Sequence, residues 1–183
     1  LLQKDDRIRL SVSHTTRPPR PGEENGVHYH FTNEPDFISL IGENAFLEHA
    51  RVFDHRYGTG REAVEKQLAN GLDVILDIYW QGARQIRESF PECCYNFIIP
   101  PSLETLRQRL EARGQDSLQV IQRRMRDAQA EISHWDEFDY LVINDNFDSA
   151  LSDLHSIIRT GKPIREVNEE QNVEILAELL GTG

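Results

Sequence analysis

Apolar and polar positions along this chain recur with periods that define its elements. Ile8, Leu10 and Val12 alternate with polar neighbours, the two-residue period of a half-buried strand running to about Ser13. His28, Tyr29, His30 and Phe31 repeat that alternation in a shorter strand. Asn33 stands where a helix cap belongs, ahead of a helix to about Asn44 with Phe37, Ile38 and Ile41 on its inner side. Residues 46–53 read as a strand carrying Glu48. Gly58 and Gly60 bracket a turn, and a helix from about Arg61 stops at Gly71. Val74, Ile75, Leu76 and Ile78 form an apolar run of the kind buried on both faces of a parallel sheet. Asp77, Tyr79 and Trp80 close that run, and Gly82 leads into a helix through Arg87.

Residues 95–99 predict the next buried strand, closed by Pro100 and Pro101. Ser102 caps a helix to Arg113, a second helix follows over residues 117–132, and residues 140–143 give a last short strand before a helix over 147–159. The tail after Pro163 is polar until Val173, Ile175, Leu176, Leu179 and Leu180. This amphipathic stretch packs on the body or on a second subunit, which leaves a homodimer open. Strands alternating with helices predict a three-layer parallel α/β fold with right-handed crossovers, and such folds gather ligands at the carboxyl ends of their strands. Arg17, Asp77 and Asn144 each follow an apolar strand and are expected to converge in one cleft.

Composition narrows the partners. With 183 residues and 38% apolar content the chain can bury one real core. A net charge of −11 argues against a nucleic-acid polymer, because polyphosphate binding wants a basic face, whereas a mononucleotide needs only a local basic site. There is no run of about eighteen apolar residues and no signal-peptide pattern, so the expectation is a cytoplasmic protein without a membrane span. Adjacent Cys93 and Cys94 disfavour a mutual disulfide, and no Cys or His spacing suits zinc.

Two arginine groups could carry chemistry. Arg17 and Arg20 sit in a turn stiffened by Pro18, Pro19 and Pro21, and an arginine held in place loses less entropy when its planar fork grips an oxyanion. Arg109 and Arg113 share a helix face by their four-residue spacing, with Arg124 across the next turn. Taken alone, the first group also fits a solvated loop, and the second fits a charged helix with Glu111 and Asp127 as local partners.

The run Ser11-Val12-Ser13-His14-Thr15-Thr16-Arg17-Pro18-Pro19-Arg20-Pro21-Gly22-Glu23, followed by His28-Tyr29-His30-Phe31, resembles the nucleotide-monophosphate site of guanylate kinases. Further matches come in order: Phe46-Leu47-Glu48-His49-Ala50, Tyr57-Gly58-Thr59, Leu76-Asp77-Ile78 with Trp80-Gln81-Gly82-Ala83, Arg113-Gly114-Gln115-Asp116-Ser117, and Val142-Ile143-Asn144-Asp145. The resemblance implies transfer of the γ-phosphate of ATP to GMP, with Mg2+ accompanying ATP and no direct metal-ligand set in the chain. It places Arg17, Arg20, Tyr29 and Tyr57 on the acceptor phosphate, and Glu48, Ser13 and Thr59 on the guanine. Arg109, Arg113 and Arg124 would neutralise the donor triphosphate, Asn144 would contact its adenine, and Asp77 would orient Arg17 or bind a magnesium-coordinated water. Where the family keeps a second aspartate near the guanine amine, this chain has Tyr79.

The same resemblance implies a division into residues 1–9 as core following a phosphate-loop helix, 10–71 as a GMP-binding subdomain, 72–101 as core, 102–132 as a lid, and 133–183 as core and C-terminal helices. No Gly-rich loop ending in Lys-Ser or Lys-Thr occurs in the sequence. The expectation is therefore a remainder of a longer protein that by itself transfers phosphate poorly. The competing reading is a non-catalytic guanylate-kinase-like interaction domain. Retention of the donor-side arginines together with Glu48 argues for the enzyme.

Overall fold

In the computed structural model, residues 1–52, 54–114, 116–163 and 169–181 are described. Phe53, Gln115 and residues 164–168, which the sequence reading assigned to a strand, a motif and the polar tail, lie outside them. The chain divides into two units, residues 1–93 and 94–183.

In the first unit, β1 (Ile8–Leu10) pairs in parallel with β6 (Asp73–Ile75). Ile8 is fully buried, but Leu10 is 45% exposed because the strand runs out from under its cover within one step of the alternation. The apolar run ending at Ile78 gives a shorter strand than expected, since β1 offers partners only as far as Ile75; its residues are half-buried or exposed rather than covered on both faces. A mixed four-stranded sheet follows in the order β3-β2-β5-β4, with β2 (His14–Thr15), β3 (His30–Phe31), β4 (Phe46–Val52) and β5 (His55–Gly60).

Gly58 and Gly60 do not bracket a turn. Both belong to β5, where Gly58 pairs with His14 and with His49. A Cβ at Gly58 would stand 3.0 Å from Phe37 Cζ and 3.1 Å from Phe46 Cδ1, so glycine is what lets two aromatic rings close over the sheet. The register shift between Phe46 and Glu48 puts Phe46 on the same side as His14 and His49, leaving Glu48 on the opposite side.

Helix α1 (Glu34–Gly42) starts where Asn33 Oδ1 accepts from the Asp36 N–H at 2.9 Å, and its Phe37 is fully buried. Ile38, one step round the helix, is 45% exposed rather than inward. Helix α2 (Arg61–Ala69) gives way to Gly71 at φ +74°, and α3 (Trp80–Ser89) begins two residues before Gly82.

In the second unit, β7 (Asn96–Ile99) and β8 (Tyr140–Ile143) pair in parallel. Helices α4 (Leu103–Arg113), α5 (Leu118–Ile132) and α6 (Phe147–Thr160) are capped by Ser102, Ser117 and Asn146, whose side chains accept the N–H three residues on. The terminal amphipathic stretch forms α7 (Glu169–Leu180), and its Leu176 and Leu179 join Ile99 and Ile132 in a buried cluster. It thus packs on its own unit. Among the described residues no helix is long and apolar enough to cross a membrane.

Candidate functional site

One side of the four-stranded sheet, with the segment leading into α3, encloses a cavity of about 190 Å³ lined by Ser13, Tyr29, Glu48, Ala50, Tyr57, Asp77, Ile78 and Tyr79. Five of the sequence-derived candidates thus share one hollow, and Thr59 adjoins it through Glu48. Glu48 is only 4% exposed, and Thr59 Oγ1 donates to its Oε1 at 2.6 Å. Burial pushes the Glu48 carboxyl above its ordinary range, while the Thr59 hydrogen bond works in the opposite direction. A buried carboxylate at the wall of a hollow is placed to accept from a ligand with adjacent N–H donors, because leaving it unpaired there is costly.

Arg17 is buried at the other side of this region, and its guanidinium is already engaged. Its NH2 donates to Glu23 Oε1 at 2.8 Å and its NH1 to Glu23 Oε2 at 3.0 Å, while NH1 also donates to Pro18 O at 2.7 Å. The guanidinium lies over the rings of Tyr29 and Phe31, 5.4 and 5.8 Å from their centroids. Burial works against the Arg17 charge, but the hydrogen bonds and charge of Glu23, with a smaller contribution from a hydrogen bond and charge at Tyr57, outweigh it and the net shift is upward. The Arg17 hydrogen bond in turn holds the Glu23 carboxyl below its ordinary range. Glu23 also accepts from the Arg20 N–H at 2.7 Å, so one carboxylate fixes both the clamp's side chain and its turn.

Glu23 is therefore the residue that orients Arg17, a role the sequence reading offered to Asp77. The signal was present, since Glu23 closes the Arg/Pro motif, but charge spacing across a turn does not say which pairs meet. Asp77 lines the cavity instead. It keeps substantial exposure as a residue, yet desolvation raises its carboxyl, and its charge helps to raise the Tyr29 hydroxyl, whose own burial is the larger cause. Tyr57 stands between two other tyrosines, its ring centroid 6.2 Å from Tyr29 and 5.7 Å from Tyr79. His14 turns away from the cavity, packing on His30 at 4.6 Å and on Phe46 at 5.3 Å.

The remaining candidates lie in the second unit. Arg109 NH2 donates to Asp145 O at 3.4 Å, and Arg124 NH1 lies 3.4 Å from Asp116 Oδ2. Arg113 is in the last turn of α4, a helix with no buried residue. Asn144 directly follows β8, its N–H donating to Ile99 O at 2.8 Å.

A model of the guanylate kinase family matches residues 1–161. The chain is 56% identical to the guanylate kinase of Nitrosococcus oceani over 173 residues, covering 94% of this chain and 85% of the relative. It is 53% identical to that of Alkalilimnicola ehrlichii, covering 99% and 89% respectively. The crystal structure of guanylate kinase from Anaplasma phagocytophilum superposes with a TM-score of 0.74 at 32% identity, over 94% of this chain and 85% of that one.

Proposed function

We propose, from the premise that this chain belongs to the guanylate kinase family, a division of labour between its residues in moving the γ-phosphate of ATP to GMP. The observation that carries the reading is the buried Glu48 carboxylate, held on one oxygen by Thr59 and facing a hollow with tyrosine hydroxyls on its walls. Guanine presents a ring N–H beside an exocyclic amine, and one carboxylate accepts both. Adenine would leave Glu48 buried without those donors, and a site built on such bonds discriminates strongly. Ser13 and Thr59 complete the base contacts.

The acceptor phosphate is taken by Arg17, Arg20, Tyr29 and Tyr57. Three Arg17 N–H donors go to Glu23 and Pro18 and a further hydrogen bond meets Tyr57, so an acceptor phosphate would meet a guanidinium and a tyrosine that are already oriented together. The acceptor phosphate is itself an anionic nucleophile, so no dedicated base is needed, and catalysis rests on alignment and charge dispersal. Arg109, Arg113 and Arg124 spread the charge of the transferring group, and Asn144 contacts the donor adenine.

Magnesium enters with ATP as part of the substrate. Among the described residues no group of three or more His, Cys, Asp and Glu side chains is placed to hold a metal ion. Asp77 is the cavity's second carboxylate and can accept from a coordinated water. In this reading residues 10–71 bind GMP, 102–132 close over ATP, and 1–9, 72–101 and 133–183 are core. The substrates place the enzyme's work in the cytoplasm. The non-catalytic interaction domain gains no support, since the matched relatives are kinases by name.

The test is turnover of the full-length protein with ATP and magnesium, offering GMP, AMP and GDP as acceptors. Phosphorylation selective for GMP that collapses in both Glu48→Gln and Arg17→Ala is expected. Equal use of AMP, or selectivity unchanged in Glu48→Gln, would contradict the assignment.

A further inference from the structure

The Gln85 side chain fastens helix α3 to the strand that carries Glu48. Gln85 Nε2 donates to His49 O at 2.8 Å, and the His49 N–H donates to Gln85 Oε1 at 3.1 Å. The carboxamide thus pairs with the backbone as a neighbouring strand would. It does so on β4, the outer strand of its sheet, at the residue next to Glu48. Gln85 Nε2 also donates to Gln81 O at 3.2 Å, which ties the same amide to the helix's first turn.

One turn before Gln85, Gly82 faces the Glu48 carboxylate. A Cβ there would stand 2.8 Å from Glu48 Cδ and 3.3 Å from Cγ, and would overlap Oε2. Any side chain at position 82 would therefore push the helix off the strand or swing the carboxylate round. The first turn of α3 is thus brought against one carboxylate oxygen while Thr59 holds the other.

We propose that Gln85 and Gly82 are positioning residues for base recognition. Gln85 locks the first turns of α3 to the open edge of β4, and Gly82 lets that end of the helix close on Glu48. The carboxylate then has one orientation available, with both oxygens presented together to a donor pair. This inference rests on the reading of Glu48 as the guanine acceptor. It follows that loosening α3 should damage recognition of the base's donor edge rather than phosphoryl transfer itself, because small misplacements of an orienting group are expensive.

The experiment is steady-state kinetics of the full-length enzyme with GMP and with the same nucleotide lacking the exocyclic amine, inosine monophosphate. Gln85→Leu keeps volume and helix propensity but removes all three hydrogen bonds of the carboxamide, Gly82→Ala inserts the obstructing methyl, and Glu48→Gln is the control. Gln85→Leu and Gly82→Ala are each expected to raise KM for GMP about tenfold with KM for ATP unchanged. Each should also shrink the GMP preference over inosine monophosphate by a similar factor. Gln85→Glu, which still accepts from the His49 N–H but sets a carboxylate oxygen against His49 O and Gln81 O, should lose at least as much as Gln85→Leu.

A fall in kcat for both acceptors with KM and preference unchanged would mean that α3 has only a structural role, and would overturn the proposal. So would an unchanged Gln85→Leu enzyme beside a Glu48→Gln enzyme that has lost its preference. Should Glu48→Gln itself keep the preference, the reading of Glu48 fails, and the positioning role fails with it. Gln85→Leu decides the matter if Gly82→Ala does not fold.

Discussion

The charged groups around the cavity of the first unit and those on the helices of the second are held very differently. Glu48 and Arg17 are buried, and each is fixed by a partner at 3.0 Å or less, Thr59 for the one and Glu23 for the other. Arg109 and Arg124 make contacts of 3.4 Å, and α4 buries none of its residues. In the proposed reading, choice of the base falls to preorganised groups inside the fold, and the donor triphosphate falls to cations on helices of the second unit held by longer contacts. On that reading the first arrangement spends stability on selectivity, and the second uses its cations late in the reaction.

The strongest way to break this contrast is to remove the cations of the second unit. Arg109→Ala, Arg113→Ala and Arg124→Ala are each expected to lower kcat by about 10²- to 10³-fold, since donors aimed at developing charge act in the transition state. KM for GMP should stay near the parent's; the melting temperature should stay near it for the exposed Arg109 and Arg113, and fall modestly for Arg124→Ala, whose partner Asp116 has only 6% of its side chain exposed. Steady-state kinetics beside thermal unfolding checks both halves. A large loss of melting temperature would show that these arginines are structural.

Next in size is Glu48→Gln, for which kcat/KM for GMP should fall about a hundredfold. Glutamine still accepts from Thr59, and it also relieves the cost of burying a charge. Because the folded carboxyl titrates above its unfolded value, that cost is fully present above the folded value, shrinks as pH falls through it, and is gone only below the unfolded value. The variant should therefore unfold at a higher temperature than the parent at neutral pH while binding GMP worse. Calorimetry that finds it less stable would remove the idea of stability given up for selectivity.

Much of the second unit was legible in the sequence because its helix ends carry their own signals. Ser102, Ser117 and Asn146 cap within three residues, and Gly114 and Gly161 take the left-handed conformation that ends α4 and α6. The first unit depends on contacts that sequence spacing does not encode. Gly58 looks like a turn residue until Phe37 and Phe46 are seen packed over it. Gln85 meets His49 across thirty-six positions. Glu23 lies inside the motif that carried the resemblance, yet only the fold of the Pro-rich turn brings it to Arg17 rather than leaving it in solvent.

The Arg17–Glu23 pair sharpens the contrast on the stability side. Arg17→Ala strands a largely buried carboxylate and should cost about 3 kcal/mol, and Glu23→Gln added to it should recover part of that loss without restoring GMP binding. Chemical denaturation of the two variants and the double mutant measures the coupling. A double mutant no more stable than Arg17→Ala would mean that the pair is not what holds the turn.

The smallest expected effect concerns pH and the far side of the sheet. Burial, aided by the nearby His30, lowers the His14 pKa. The unfolded chain therefore takes up a proton near the ordinary value of about 6.5 while the folded chain resists it. Stability should decline as pH falls below that value and level off beneath the folded pKa. His14→Phe, which keeps a ring against Phe46, should flatten the decline of melting temperature between neutral and mildly acidic pH. An unchanged slope would assign it to other groups.

The most direct test of the central claim is a crystal structure of the protein with GMP. The guanine edge should lie within hydrogen-bond distance of both Glu48 oxygens, with the phosphate against Arg17, Tyr29 and Tyr57. A base bound elsewhere, or a phosphate seated at Glu48's end of the cavity, would contradict the account.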